Sequence, residues 1–324
     1  MKHVLKVVFV LLTAIALILP PAAGCGVIED TRPSSFVLGY STPSLQNSFW
    51  ISVTTAMQNK ADELGVSLSI RDAASDTARQ AADIEDLIEQ HVDVLLVTPY
   101  DSVSLAPALK QANEAGIPVI IVDIGINDPD VTYESLIITD NYTGGRIAGE
   151  WLVQYFQDHQ IKKPTVATIE AQLGAENARE RHNGFIDVMA ENDIDVVLGR
   201  SANSLRDQAM EVMEDFLQTY PDLTAVFAEC DDMALGALQA VKQAKANTII
   251  IGYDGNIAAC EQIGEGANLK ADIDQRPAEM GAQAVQMAVD FMNGVTLDKV
   301  VTITPELITQ DNVEEFIRKY TENG

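Results

Sequence analysis

Two stretches decide the architecture of this chain: Leu223-Thr-Ala-Val-Phe-Ala-Glu-Cys-Asp-Asp-Met-Ala-Leu-Gly-Ala-Leu238 and Thr248-Ile-Ile-Ile-Gly-Tyr-Asp-Gly255. In each, a β-branched or aromatic run stops at side chains able to hydrogen-bond, and a helix-like pattern follows. Open α/β sheets place their ligands at such strand ends. Six apolar runs in the chain end on a polar residue in this way.

Working outward, strand candidates fall at Phe36–Ser41, Val66–Ile70, Val92–Thr98, Pro118–Asp123, Leu136–Thr139 and Thr165–Glu170. They continue at Asp195–Ser201, Thr224–Glu229, Thr248–Tyr253 and Leu269–Ile273. Most are continuous Val/Ile/Leu runs, which suit parallel strands covered on both faces. Between them the apolar residues recur at helical spacing, as in Trp50–Leu64 and Thr77–His91. This alternation predicts two doubly wound α/β lobes, and two turn-rich stretches, Gly125–Pro129 and Asp274–Pro277, suit crossings between them. The expected division is a lobe of 36–137 plus 276–304 and a lobe of 138–275 plus 305–324, joined by a three-segment hinge with a ligand cleft between.

Residues 1–24 stand apart. Lys2 and Lys6 precede an apolar stretch from Val7 to Leu19, and Pro20-Pro21-Ala22-Ala23-Gly24 supplies small residues for cleavage. The stretch is too short for a membrane span, which needs about 20 residues. It predicts a signal peptide and an extracytoplasmic protein. Cys25 after Ala-Ala-Gly resembles a lipobox, whose cysteine becomes lipid-anchored, with 25–35 as a tether; Ala22 stands where leucine is usual, and ordinary cleavage fits the same residues.

At 324 residues and 47% hydrophobic, the chain is long enough for about two domains. The formal charge is −27, and loss of Lys2 and Lys6 deepens it by two. Such a surface repels nucleic acid and anionic lipid, which excludes both as partners; the membrane is reached only through the anchor. Of three cysteines, Cys230 and Cys260 lack a disulfide-framework spacing, and buried free thiols are expected.

Catalytic signatures are missing from the sequence. The four histidines, His3, His91, His159 and His182, form no zinc pair, and neither a Gly-x-Ser-x-Gly elbow nor a phosphate loop is present. No cofactor and no metal is expected. Asp123 and Asp254 could imitate a glycosidase pair, but an arginine beside them is expected to lower both pKa values and favour holding over hydrolysis.

Seven fragments occur in a telling order: Asn47-Ser-Phe-Trp50, Pro118-Val-Ile-Ile-Val-Asp123, Thr139-Asp-Asn-Tyr-Thr-Gly-Gly145, Ala178-Arg-Glu-Arg181 with Gly184-Phe185, Ala228–Ala237, Gly252-Tyr-Asp-Gly255 and Asp274-Gln-Arg-Pro277. On these, the chain from Phe36 to about Thr309 resembles the type I periplasmic-binding-protein family, near its ribose-binding branch. The resemblance implies a monomeric clamp without chemistry, which closes on a sugar or polyol and presents it to the membrane permease of an ABC importer. The same module also serves as a sensor subunit for chemoreceptors or two-component kinases.

The family pattern carries to Ser41, Asn47, Phe49 and Trp50 near the first strand end, and to Asp123, Arg179, Cys230, Asp254 and Gln275. A sugar hydroxyl both donates and accepts, so carboxylates opposite Arg and Gln donors suit it, and aromatic rings suit its C–H faces. Three positions depart from the ribose-binding pattern: Ile124 for arginine, Cys230 for asparagine and Ser204 for a stacking phenylalanine. Fewer donors and one missing wall predict a neutral monosaccharide, deoxysugar or polyol with fewer hydroxyls on that side. The plain alternatives are core packing for Phe49 and Trp50 and helix capping for Asp254.

Overall fold

The computed structural model describes residues 36–172 and 174–323, so the signal, tether and Cys25 expectations lie outside the described residues. Strand and helix alternate from β1 (Val37–Thr42), α1 (Ser48–Leu64), β2 (Ser67–Asp72) and α2 (Thr77–Glu89) through β3 (Val94–Val97), α3 (Ala106–Glu114) and β4 (Val119–Val122) to β5 (Ser135–Thr139). The second series runs α4 (Asn141–Asp158), β6 (Val166–Glu170), α5 (Glu176–Glu191), β7 (Val196–Ser201), α6 (Arg206–Thr219), β8 (Ala225–Ala228) and α7 (Asp231–Ala244). It ends with β9 (Ile249–Ile251), α8 (Ile257–Gly264) and β10 (Leu269–Asp274). The tail supplies α9 (Pro277–Met292), β11 (Val300–Ile303), β12 (Glu306–Thr309) and α10 (Val313–Asn323).

These strands form two six-stranded sheets, ordered β2-β1-β3-β4-β5-β11 and β7-β6-β8-β9-β10-β12. All pairings are parallel except β10 with β12. The central strands β3, β4, β8 and β9 are buried at every residue, as their unbroken apolar sequences require. Each sheet is therefore the heart of one doubly wound lobe.

The chain passes between the sheets at 139–141, 274–277 and 303–306. Gly125–Pro129 is not a crossing: it leads from β4 into β5, its parallel neighbour in the same sheet. Strands β11 and β12 escape the periodicity because each has four residues at a sheet edge and neither is buried throughout.

In each lobe the strand order reverses beside the first strand, β1 against β3 and β6 against β8. The loops leaving the carboxyl ends there enclose a crevice, which is where open α/β sheets bind.

Candidate functional site

Arg181 organises the crevice. On α5, Asn177, Ala178, Arg181, Gly184, Phe185, Val188 and Met189 are buried, one helical face with the arginine at its open end. Helices α4 and α5 come close because glycines meet backbone: a Cβ at Gly145 would overlap the Arg181 carbonyl, and one at Gly184 the Tyr142 carbonyl. The guanidinium donates through Nη1 to the Glu229 carbonyl (2.7 Å), through Nη2 to Asn141 Oδ1 (2.8 Å) and to Gln275 Oε1 (3.2 Å). It lies 3.8 Å from Asp254 Oδ1 and 4.0 Å above the Tyr253 ring.

Two carboxylates face it. Asp254 accepts from Gln275 Nε2 at 2.6 Å and from the Asp231 amide at 3.4 Å. Asp123 accepts from Trp50 Nε1 and, across the cleft, from Asn177 Nδ2, both at 3.2 Å. Both aspartates have positive φ, 67° and 140°, an uncommon backbone that lets a strand-end residue turn its carboxylate into the cleft. Asp254 does not cap α8, whose N-cap is Asn256.

Burial is the largest influence on both carboxyls and outweighs the Arg181 charge, so each stands above the ordinary carboxylate range. This corrects the expectation of lowered values: the arginine does pull them down, but the water each has lost matters more.

The cavity these groups enclose is small, about 30 Å³, because they satisfy one another across it. Phe49, Trp50, Ile124, Ala178 and Cys230 complete its wall. A larger groove of about 840 Å³ runs along α1, α9 and α10. Its charges include surface pairs such as Lys60–Glu63 and Lys319–Glu315, whereas buried polar groups converge on the smaller cavity, which is therefore the candidate site. Among the described residues no group of His, Cys, Asp and Glu is arranged to hold a metal, and no helix is long and apolar enough to cross a membrane.

Two similar α/β lobes with buried polar groups between them match a known pattern, and residues 38–296 fit the model of the periplasmic binding protein domain. The chain belongs to that family. The ribose import binding protein of Bacillus subtilis is 35% identical over 94% of this chain and 99% of its own length. The D-ribose/D-allose-binding protein of Pseudomonas aeruginosa is 31% identical over 93% and 96%. Among solved structures, the Caulobacter myo-inositol binding protein superposes with a TM-score of 0.80 at 30% identity, covering 86% of this chain and 95% of that one.

Against this frame of a two-lobed binding domain, Asn47, Phe49, Trp50, Asp123, Cys230, Asp254 and Gln275 all line the small cavity. Phe49 and Trp50 are also core residues, 3% and 6% exposed, so the packing and cleft readings hold together for both. Ser41 is buried within β1 and does not reach the cavity. Arg179 does not line the cavity and Arg181 does: two residues along a helix turn the side chain to the opposite side, and Arg179 is half exposed, 3.9 Å from Glu176. Gln172 and Asn177 line the cavity unforeseen, and Asn141 supports Arg181 from behind. His182, no cleft group, shares its Nδ1 with Glu229 at 2.8 Å. Cys230 and Cys260 are both buried free thiols.

Proposed function

We propose that this chain is an extracytoplasmic solute-binding protein that captures a monosaccharide or polyol by closing its two lobes and delivers it to the permease of an ABC importer. The observation carrying this reading is the chain of buried donors and acceptors, Arg181, Asp254, Gln275, Asn177 and Asp123, beside the rings of Phe49 and Trp50. Each of these polar groups now bonds a protein neighbour, and each can exchange it for a sugar hydroxyl when the lobes part and close again. Relatives named for ribose, allose and myo-inositol support the ligand class.

The ligand-holding set is Asn47, Phe49, Trp50, Asp123, Asn177, Arg181, Cys230, Asp254 and Gln275. Ile124 and Cys230 offer no strong donor, which favours a neutral ligand, a deoxysugar or polyol included, with fewer hydroxyls on that wall. The lobes divide at the three crossings, 36–139 with 277–303 and 141–274 with 306–323, which moves the first boundary past the end of β5. Cys25 carries the lipid that holds the monomer at the outer membrane face. The raised carboxyls leave acid–base chemistry open to them, and membership of a binding-protein family weighs for holding over hydrolysis.

The test is a thermal-stability screen against pentoses, hexoses, deoxysugars, inositols and other polyols, with amino acids as controls. A ligand at 100 times its Kd adds about 2.7 kcal/mol. A clear shift with one sugar class is the expected result; a folded protein that responds to none of them refutes the reading.

A further inference from the structure

A second chamber, about 260 Å³, adjoins the small cavity. The two share Asn47, Trp50, Gln172 and Ser204 as walls, so they are neighbouring compartments of one cleft. The outer one is close to the size of ordinary ligand pockets, which begin at roughly 300 Å³. Ser204 and Gln172 stand between the two compartments, Ser204 Oγ donating to Gln172 Oε1 at 2.8 Å, a single bond that a ligand hydroxyl can replace.

The chemistry of the outer chamber is specific. Trp50 and Tyr100 contribute the aromatic rings, and nearly every other lining residue can hydrogen-bond. Its cation, Arg206, is matched by Asp232 at 2.7 Å, so the chamber has no uncompensated charge for a phosphate or carboxylate. Hydrogen-bonding walls with aromatic faces and balanced charge suit a neutral hydroxylated ring. Both lobes build the chamber, Gln46 and Tyr100 from one and Asn203 and Arg206 from the other, so an occupant is enclosed by the same closure that encloses the inner ring.

The geometry points to a two-ring ligand: a sugar or polyol ring in the inner site, carrying a second neutral hydroxylated ring in the outer chamber. The ligand is thus a glycoside or disaccharide. This inference rests on the sugar-capture reading and extends it from a single ring to two.

Calorimetric titration of the purified protein tests it with three pairs of probes: myo-inositol and galactinol, D-galactose and galactobiose, L-arabinose and arabinobiose. Where the single ring binds, its two-ring partner should bind at least about tenfold tighter, equivalent to about 1.4 kcal/mol. Gln46→Trp, which fills the outer chamber from an exposed loop position, and Tyr100→Ala, which removes one of its rings, should each erase that gain and leave single-ring binding unchanged. If single rings bind and two-ring probes bind no better, or if the gain survives both substitutions, the two-ring inference is wrong while sugar capture stands. Binding of none of the six overturns the two-ring inference, while sugar capture is judged separately by the wider thermal screen.

Discussion

Asp232, at the head of α7, accepts two hydrogen bonds from Ser48, at the head of α1: the amide at 3.2 Å and the hydroxyl at 3.1 Å, both on Oδ2. The helices belong to different lobes, so this pair spans the cleft. Arg206 holds the other Asp232 oxygen, and Asn256 Nδ2 donates to Ser48 Oγ at 2.8 Å. These bonds form when the lobes meet, and they stabilise the closed arrangement without touching a ring in the inner cavity. Asp232→Ala should therefore shift the protein toward the open form and weaken sugar binding by about 1.5 kcal/mol, roughly tenfold. Calorimetry reads the affinity, and small-angle scattering should show a larger radius for the free variant. An unchanged Kd and radius would mean the pair is no latch.

The two arginines of the Ala178–Arg181 segment should part company under mutation. Arg179→Ala removes a half-exposed side chain with one distant acidic neighbour, and stability and binding should stay within about 0.5 kcal/mol of the parent. Arg181→Ala removes the buried cation that Asn141, the Glu229 carbonyl and Asp254 share, and breaking such a charged network costs about 3–5 kcal/mol. Denaturant unfolding should show that loss, and ligand added to whatever remains folded should fail to restore it. Equal effects of the two substitutions would contradict the geometry.

That distinction was available in the sequence. Arg181 lies three residues after Ala178 and four before Phe185, on the apolar face of its helix, whereas Arg179 does not; helical phase identifies the inward arginine where motif matching does not. The lobes were equally legible, because buried parallel strands such as Val119–Val122 declare themselves as unbroken apolar runs. What the sequence could not convey depends on distant chain segments meeting. Asn177 gains a role only when the second lobe brings it to Asp123, and the left-handed turn at Asp123 has no signature in an Ile-Val-Asp-Ile run.

Acidity should stabilise this protein. Asp231 and Asp272 are buried side by side against Gly252, and Asp231 Oδ1 and Asp272 Oδ2 have no other partner, so one proton between them satisfies both. Burial raises both acids, and raises Glu229 and Asp274, the latter to about 7; Glu229 raises His182. A group whose folded pKa is raised contributes stability below its unfolded value and loses that contribution as pH climbs through the folded value. For Asp274 the window runs from its ordinary 3.8 to about 7, and His182 extends it above 6.5. Acids shifted downward, such as Asp128 and Glu191, act only in more acidic solution. The Tm at pH 5 should therefore exceed that at pH 8, by roughly 2 °C for each kcal/mol. Calorimetric scans that rise from pH 5 to 8 would show that these acids are solvated.

Gly145→Ala tests whether helix contact controls the site from outside it. The new methyl would overlap the Arg181 carbonyl, so α4 and α5 must separate, and overpacking of this kind costs about 1–3 kcal/mol. The cleft suffers as well, because Arg181 is carried by α5 while its partner Asn141 opens α4, and a shift between the helices stretches their 2.8 Å bond. The variant should lose ligand affinity at temperatures where it remains fully folded. Gly264→Ala is the matched control: at the end of α8 its methyl would meet Val313 at an ordinary 3.8 Å, and neither stability nor affinity should fall. Denaturant curves and titrations on both proteins separate the effects. Lost stability with full affinity in Gly145→Ala would mean that Arg181 holds its position independently of α4.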